Sequence, residues 1–263
     1  MTTNADPILV DVRDGVAVVT LNNPPLNVVT LALTRALNET LDRLAGDRDA
    51  RVLVLTGAGE RAFCAGSDIK EFPELMAPGV ALERKMVYEN ETYSKVDDFP
   101  KPTIAAVTGL AYGGGLELAV CCDLIVAEER TRLALPEIKL GVFPGSGGTV
   151  RVTRRVGEGR AKEMMFFGDP IDARTALAWG LVNRVVPDGG ALAAAKEMAA
   201  TLAERPNRAL QLCKRAIDLS FDVAEDEAVR RTLAFSDEAF ASDDCREGVR
   251  AFFAKEQPRF THS

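Results

Sequence analysis

The chain has 263 residues, of which 47% are hydrophobic, 27% charged and 6% aromatic, enough for one large domain with a sizeable buried core. Its 32 basic residues face 39 acidic ones, and the formal charge of −7 opposes non-specific attraction to nucleic-acid phosphate. No apolar run reaches the ~18 residues that a membrane span needs, and "MTTNADPILVDVRDG" resembles neither a secretory signal nor a transit peptide, so a cytoplasmic protein with no membrane or nucleic-acid partner is expected.

The first element predicted is a hairpin: "ILVDVRDGVAVVTLNNP" alternates apolar and polar residues around Asp14 and Gly15, a strong two-residue turn signal. After the turn cluster "NNPPLN", Leu33, Leu37, Leu41 and Leu44 recur at helical spacing, with Thr30 as N-cap and Gly46 as stop. "RVLVLTG" (51–57) reads as a buried strand, a charged helical stretch spans about 78–96, and "PTIAAVTG" (102–109) reads as a further strand. "DLIVAEE" and "RLALPE" add shorter strands. Beyond Pro187 come four helical patterns, "ALAAAKEMAATLAERP", "RALQLCKRAIDLS", "VAEDEAVRRTLAFSDEAF" and "CREGVRAFFAKEQP". Alternating strands and helices place residues 1–187 in an α/β core, followed by a helical C-terminal region over 188–263.

Two residue counts narrow the chemistry. The only histidine is His262, close to the C-terminal residue Ser263, which argues against Ser-His-Asp and Cys-His catalysis and removes the commonest metal ligand. The five cysteines are odd in number and form no CxxC, so reduced thiols are expected rather than a disulfide framework or a zinc site. Proton transfer in an enzyme of this composition falls to carboxylates.

"VLVLTGAGERAF" contains Gly57-x-Gly59-x-x-Ala62, which imitates a dinucleotide fingerprint. The match is poor, because no long amphipathic helix opens at these glycines and no acidic residue ends a second strand about 20 residues on. Ser67 and Ser146 have no credible histidine partner and read as loop serines rather than nucleophiles.

Glu117 carries a sharper signal. It lies in "GLAYGGGLELAVCCDLIVA" among Leu116, Leu118, Ala119 and Val120, where an ionised carboxylate is costly unless it is paired or functional. An exposed helix face or a buried ion pair is the plain alternative, and the apolar flanks weaken the first. Gly113, Gly114 and Gly115 precede a predicted helix and let a ligand approach free backbone N–H groups. A second donor segment is Ala65-Gly66-Ser67 in "FCAGSDIKEF", and Glu137 follows Pro136 in "LALPEIKLGVFPGSGGT". Two N–H donors can form an oxyanion hole, often worth about 3 kcal/mol per donor, and two carboxylates complete the parts for acid–base chemistry beside a carbonyl.

These segments together resemble the crotonase superfamily, the enoyl-CoA hydratase and isomerase family. The resemblance runs from "VTLNNPPLN" through "AFCAGSDIKEF", "IAAVTGLAYGGGLELAVCCDLIVA" and "LALPEIKLGVFPGSGGTVRVTRRVG" to "AKEMMFFGDPIDARTALAWGLVNRVVP". It implies an α/β spiral of ββα units with a C-terminal helical region that builds homotrimers, commonly paired into homohexamers. It further implies that the N–H groups of Ser67 and Gly114 form the oxyanion hole for an acyl-CoA thioester, and that Glu117 and Glu137 are the catalytic pair. Ala65, Asp68, Ile69 and Lys70 would line the adenine-nucleotide end of CoA, with Leu26 near the same ligand and Gly113 and Pro136 beside the substrate. Coenzyme A enters as part of the substrate, with no metal or separate cofactor. Serine at position 67 departs from the alanine of many hydratases, a change that a backbone donor tolerates. Glutamates at both 117 and 137 favour syn-hydration of a 2-enoyl-CoA over double-bond isomerisation, another acyl-CoA lyase reaction, or a non-catalytic acyl-CoA- or RNA-binding role.

Overall fold

Asp14 (φ 52°) and Gly15 (φ 85°) both adopt left-handed backbone, and the chain reverses there as the Asp-Gly signal predicts. In this computed structural model, which describes residues 6–262, β1 (Ile8–Arg13) and β2 (Val16–Leu21) form the antiparallel hairpin. The helix α1 (Leu31–Gly46) starts where Thr30 Oγ1 accepts the Leu33 N–H at 3.2 Å, and Leu33, Leu37, Leu41 and Leu44 are buried.

From β3 onward the chain repeats one move three times: a strand, a short second strand, then a helical segment. The pairs are β3 (Val52–Gly57) with β4 (Ala62–Cys64), β5 (Thr103–Val107) with β6 (Leu110–Tyr112), and β7 (Leu124–Glu128) with β8 (Arg132–Ala134). The first member of each pair joins a six-stranded sheet in the order β1-β2-β3-β5-β7-β10, where β10 is Arg184–Val186. The second joins a four-stranded sheet in the order β4-β6-β8-β9, where β9 is Ile171–Asp172. Within both sheets these middle strands are parallel, so the backbone winds as a spiral and each turn advances both sheets by one strand. Ala62 belongs to β4, so a strand and no helix follows Gly57, and the dinucleotide pattern lacks the helix N-terminus it requires.

The central strands β3, β5 and β7 of the large sheet are buried on both faces, which explains why they read as unbroken apolar runs. Val19, Leu53, Leu55, Ala105 and Val107 face the main core with α1, whereas Val18, Val52, Val54, Ile104 and Val126 face α7 (Ala191–Ala203). Ala191, Ala195, Ala199 and Ala203 recur every fourth residue, so α7 lays a small-residue stripe against the sheet. The connecting helices are α2 (Val87–Asp97), α3 (Gly114–Ala119), α4 (Gly148–Val156), α5 (Glu158–Phe167) and α6 (Ala173–Trp179). A single wide helical turn, Leu82–Met86, leads into α2, so the charged pattern from 78 becomes regular α-helix only at Val87. The chain ends with α8 (Asn207–Leu219), α9 (Glu225–Ala241) and α10 (Asp243–Ala254). Among the described residues no helix is long and apolar enough to cross a membrane.

The helix α3 is pressed against β4. A Cβ built on Gly115 would lie 2.0 Å from the Cys64 carbonyl oxygen, a backbone atom that cannot step aside. Gly115→Ala is therefore expected to lower unfolding free energy by about 3 kcal/mol or more, read as a drop in the urea midpoint. A variant as stable as the parent would contradict this packing.

Candidate active site

The small sheet decides which residues meet. Because β4, β6 and β8 are parallel neighbours, their carboxyl ends open side by side, the usual place for a site in such a sheet. Ser67 lies just beyond β4, Gly113 and Gly114 directly follow β6, and Glu137 lies just beyond β8. The Gly113 N–H donates to the Ala134 carbonyl at 2.9 Å, tying the second of these ends to the third. A Cβ on Gly66 would lie 3.3 Å from the Gly114 nitrogen, so the Ser67 and Gly114 segments run in contact. Gly113 is equally tight: a Cβ there would lie 3.0 Å from Glu137 Oε1 and 3.9 Å from the Gly66 Cα. Three sequence-distant segments thus converge around one glycine.

The Ser67 backbone is aimed by Val29. Val29 donates its N–H to the Gly66 carbonyl at 2.8 Å and accepts from the Asp68 N–H at 3.1 Å, which turns the intervening Ser67 N–H to the opposite side. Gly114 opens α3, where the first N–H groups of a helix have no partner inside the helix. Tyr93, fully buried on α2, donates its hydroxyl to the Gly114 carbonyl at 2.9 Å and fixes that peptide from behind.

Glu117 is 3% exposed, and its Oε1 accepts the N–H groups of Ser146 and Gly148, each at 2.8 Å. Burial in an apolar shell pushes its carboxyl up to about 7, against the two N–H donors, which pull it down. The charges of Glu137 and Glu89 push it further up, so Glu117 and Glu137 are close enough to sense each other. Glu137 sits on a short 3-10 turn, Pro136–Leu140, that Pro136 starts; it is half-buried, and burial raises its carboxyl above the usual range. Its buried Oε2 accepts no hydrogen bond. Two carboxyls with raised proton affinity, one anchored and one with an uncommitted oxygen, can hold and exchange the protons of a small molecule between them.

Leu26 and Ala65 are neighbours, the Ala65 N–H donating to the Leu26 carbonyl at 3.0 Å. Asp68 caps a 3-10 turn, Ile69–Glu74, by accepting the Lys70 N–H at 3.1 Å, and Ile69 and Lys70 are exposed. The cysteines are free, and burial pushes the Cys64 and Cys122 thiols up to about 12, so neither is a nucleophile near neutral pH. Among the described residues no group of three or more His, Cys, Asp or Glu side chains is placed to hold a metal ion.

Sequence reading treats Ser146 as a plain loop serine; in the structure it is 5% exposed and donates its hydroxyl to Glu89 Oε1 at 2.5 Å. Glu89 itself, 5% exposed, escapes sequence analysis altogether, because "YENETY" reads as a charged solvent face. The doubled glycines of "PGSGG" are the one local signal that backbone N–H groups there approach another group.

The family model for enoyl-CoA hydratase/isomerase matches residues 11–263. A probable enoyl-CoA hydratase of Mycobacterium bovis is 36% identical over 258 residues, covering 98% of both chains. The short-chain-enoyl-CoA hydratase of Clostridium acetobutylicum is 35% identical over 253 residues, covering 94% of this chain and 95% of its own. Among solved structures, an enoyl-CoA hydratase from Bacillus anthracis superposes with a TM-score of 0.93 at 35% identity, covering 98% of this chain and 100% of its own.

The raised carboxyl of Glu117 links stability to pH. Its ordinary value of 4.5 in the unfolded chain becomes about 7 on folding, so the native state loses stability as pH climbs from 4.5 through 7 and the buried group must ionise. Glu117→Gln mimics the protonated form and should be more stable than the parent by about 1–3 kcal/mol at pH 8.5, the gain vanishing below about pH 5. Urea unfolding at both pH values checks this; an equal or lower stability at pH 8.5 would contradict the environment described for Glu117.

Proposed function

This chain belongs to the enoyl-CoA hydratase/isomerase family, and from that premise we propose that it hydrates a 2-enoyl-CoA by syn-addition of water, giving a 3-hydroxyacyl-CoA. One observation carries the reading: two carboxyls with raised proton affinity, Glu117 and Glu137, flank the Ser67 and Gly114 donors at the ends of three adjacent strands.

In this mechanism the thioester oxygen lies between the N–H groups of Ser67 and Gly114, which stabilise the negative charge that develops when the β-carbon is attacked. Ionised Glu117 takes a proton from a water held by both glutamates, and the water oxygen bonds to the β-carbon. The electron pair of the double bond moves toward the α-carbon and thioester, and Glu137 delivers its proton to the α-carbon. Proton exchange through the next water returns both carboxyls to their starting forms. Gly113 and Pro136 border the reacting carbons. Lys70, with Ala65, Asp68, Ile69 and Leu26, receives the adenine-nucleotide end of CoA, a role supported by the exposure of the Lys70 side chain. The scheme uses no metal and no redox cofactor, since both proton carriers belong to the chain and coenzyme A arrives with the substrate.

We further propose that copies of the chain assemble as a homotrimer or as two trimers in a hexamer, which is supported by Leu233, Phe240, Phe252 and Phe253 standing exposed on α9 and α10. A cytoplasmic location fits a substrate made inside cells.

Purified protein should bleach the conjugated enoyl-thioester absorbance of some member of a chain-length panel of enoyl-CoA substrates, without added metal or nicotinamide. No bleaching across the panel would overturn the reading, and conversion of a 3-enoyl-CoA to its 2-enoyl isomer alone would make the chain an isomerase. Glu117→Gln and Glu137→Gln should each lower kcat by about 10²–10⁴-fold, since each removes one proton carrier. A fully active Glu117→Gln protein would contradict its assignment as the base.

A further inference from the structure

Glu89 reaches the site from α2, and no step of the hydration scheme uses it. Its burial is nearly complete, yet it is linked on both sides. Its Oε1 accepts the Ser146 hydroxyl at 2.5 Å, and its Oε2 lies 3.3 Å from Lys85 Nζ, which also stands 3.5 Å from Glu71 Oε2. Ser146 in turn presents its own N–H to Glu117 Oε1 at 2.8 Å. One serine therefore ties two buried carboxylates together, by its side chain to Glu89 and by its backbone to Glu117. The neighbouring Asn90 reinforces the link by donating to the Gly145 carbonyl at 2.8 Å, so two consecutive residues of α2 grip the loop that holds Glu117.

The groups facing Glu89 are few. Lys85 lies one turn back along the helix, with Glu71 behind it; across the packed interior stand Glu117, the Tyr93 hydroxyl and the Cys64 thiol. Burial is the first cause that keeps the last two protonated, with the charge of Glu89 adding to it. Lys85 offsets part of that charge. A Cβ on Gly114 would lie 3.9 Å from Glu89 Oε1 and 3.8 Å from Ser67 Oγ, which puts Glu89 beside the donor pair as well.

We propose that Glu89 and Ser146 are positioning residues for Glu117: Glu89 anchors the serine that aims an N–H at Glu117, and it sets a second buried carboxylate beside that site. The proposal deepens the hydratase reading and rests on it. Such an anchor is needed because the loop carrying Ser146 and Gly148 has to hold a carboxylate that gains and loses a proton in every turnover, and a misplacement of 1 Å can lower a rate about 10²-fold.

Three variants separate the two parts of the role. Glu89→Gln keeps an acceptor for Ser146 and removes the charge; Glu89→Leu removes both; Ser146→Ala removes the hydroxyl and keeps the N–H. With an enoyl-CoA that the parent hydrates, Glu89→Gln should retain plateau kcat within about threefold while the acid limb of kcat/KM moves to lower pH, because a like charge that disfavours the ionised form of Glu117 is gone. Glu89→Leu and Ser146→Ala should each lower kcat about tenfold or more with KM little changed, and the double variant should be no worse than the poorer single one. The titration of Glu117 is also read without turnover, by carbon NMR of glutamate-labelled protein with the signal assigned through Glu117→Gln. Glu89→Gln should shift that titration to lower pH. An unmoved titration, or additive losses in a properly folded double variant, would overturn the proposal. Absence of any hydration by the parent would overturn the hydratase reading while the NMR titration still decides whether Glu89 acts on Glu117.

Discussion

A carboxylate confined in an apolar shell, with two backbone N–H groups on one of its oxygens, is the constraint that organises this molecule. Two N–H donors, from Ser146 and Gly148, support the ionised form of Glu117 there, and without burial it would be an ordinary carboxylic acid. The balance leaves its carboxyl near 7, where it can take a proton and release it again. Keeping that balance requires the donor loop to be held from outside, and α2 does so through Glu89 and Asn90. The site is thus built from the back as much as from the front.

The spiral explains how so many separate segments contribute. Each turn leaves one short strand in the four-stranded sheet, and three consecutive turns deliver Ser67, Gly114 and Glu137 to one edge. Ser67, Gly114 and Glu137 are consequently placed by the hydrogen bonds of this sheet, while Glu117 rides on the first turn of α3 immediately behind. Pressing α3 onto β4 at Gly115 gives this arrangement its rigidity, since backbone meets backbone with no side chain between to yield. Rigid donors matter for a reaction whose charge develops on an oxygen, because preorganised dipoles need not rearrange as the charge forms.

Much of this was legible in the amino-acid order. The Asp14-Gly15 turn, the leucine spacing of α1, the unbroken apolar strands and the helical end of the chain all follow from local pattern. Glu117 stands out because its neighbours are apolar, and Glu137 joins it through the family resemblance. The small sheet is less readable: β4, β6 and β8 have three residues each, too few for any periodicity, so their adjacency emerges only in space. Alanines every fourth residue predict the helix α7 but not the sheet face that receives it. Glu89 is hidden for the opposite reason to Glu117, being one acid among many in a polar stretch, and only the packing of α2 shows that it faces inward.

Hydration in deuterated water tests the central claim that Glu117 and Glu137 act on one water from the same side of the substrate. The expected product is a 3-hydroxyacyl-CoA with one deuterium at the α-carbon, on the same face as the new hydroxyl, as read by proton NMR of the isolated product. Deuterium on the opposite face, or distributed over both faces at early turnover, would contradict it.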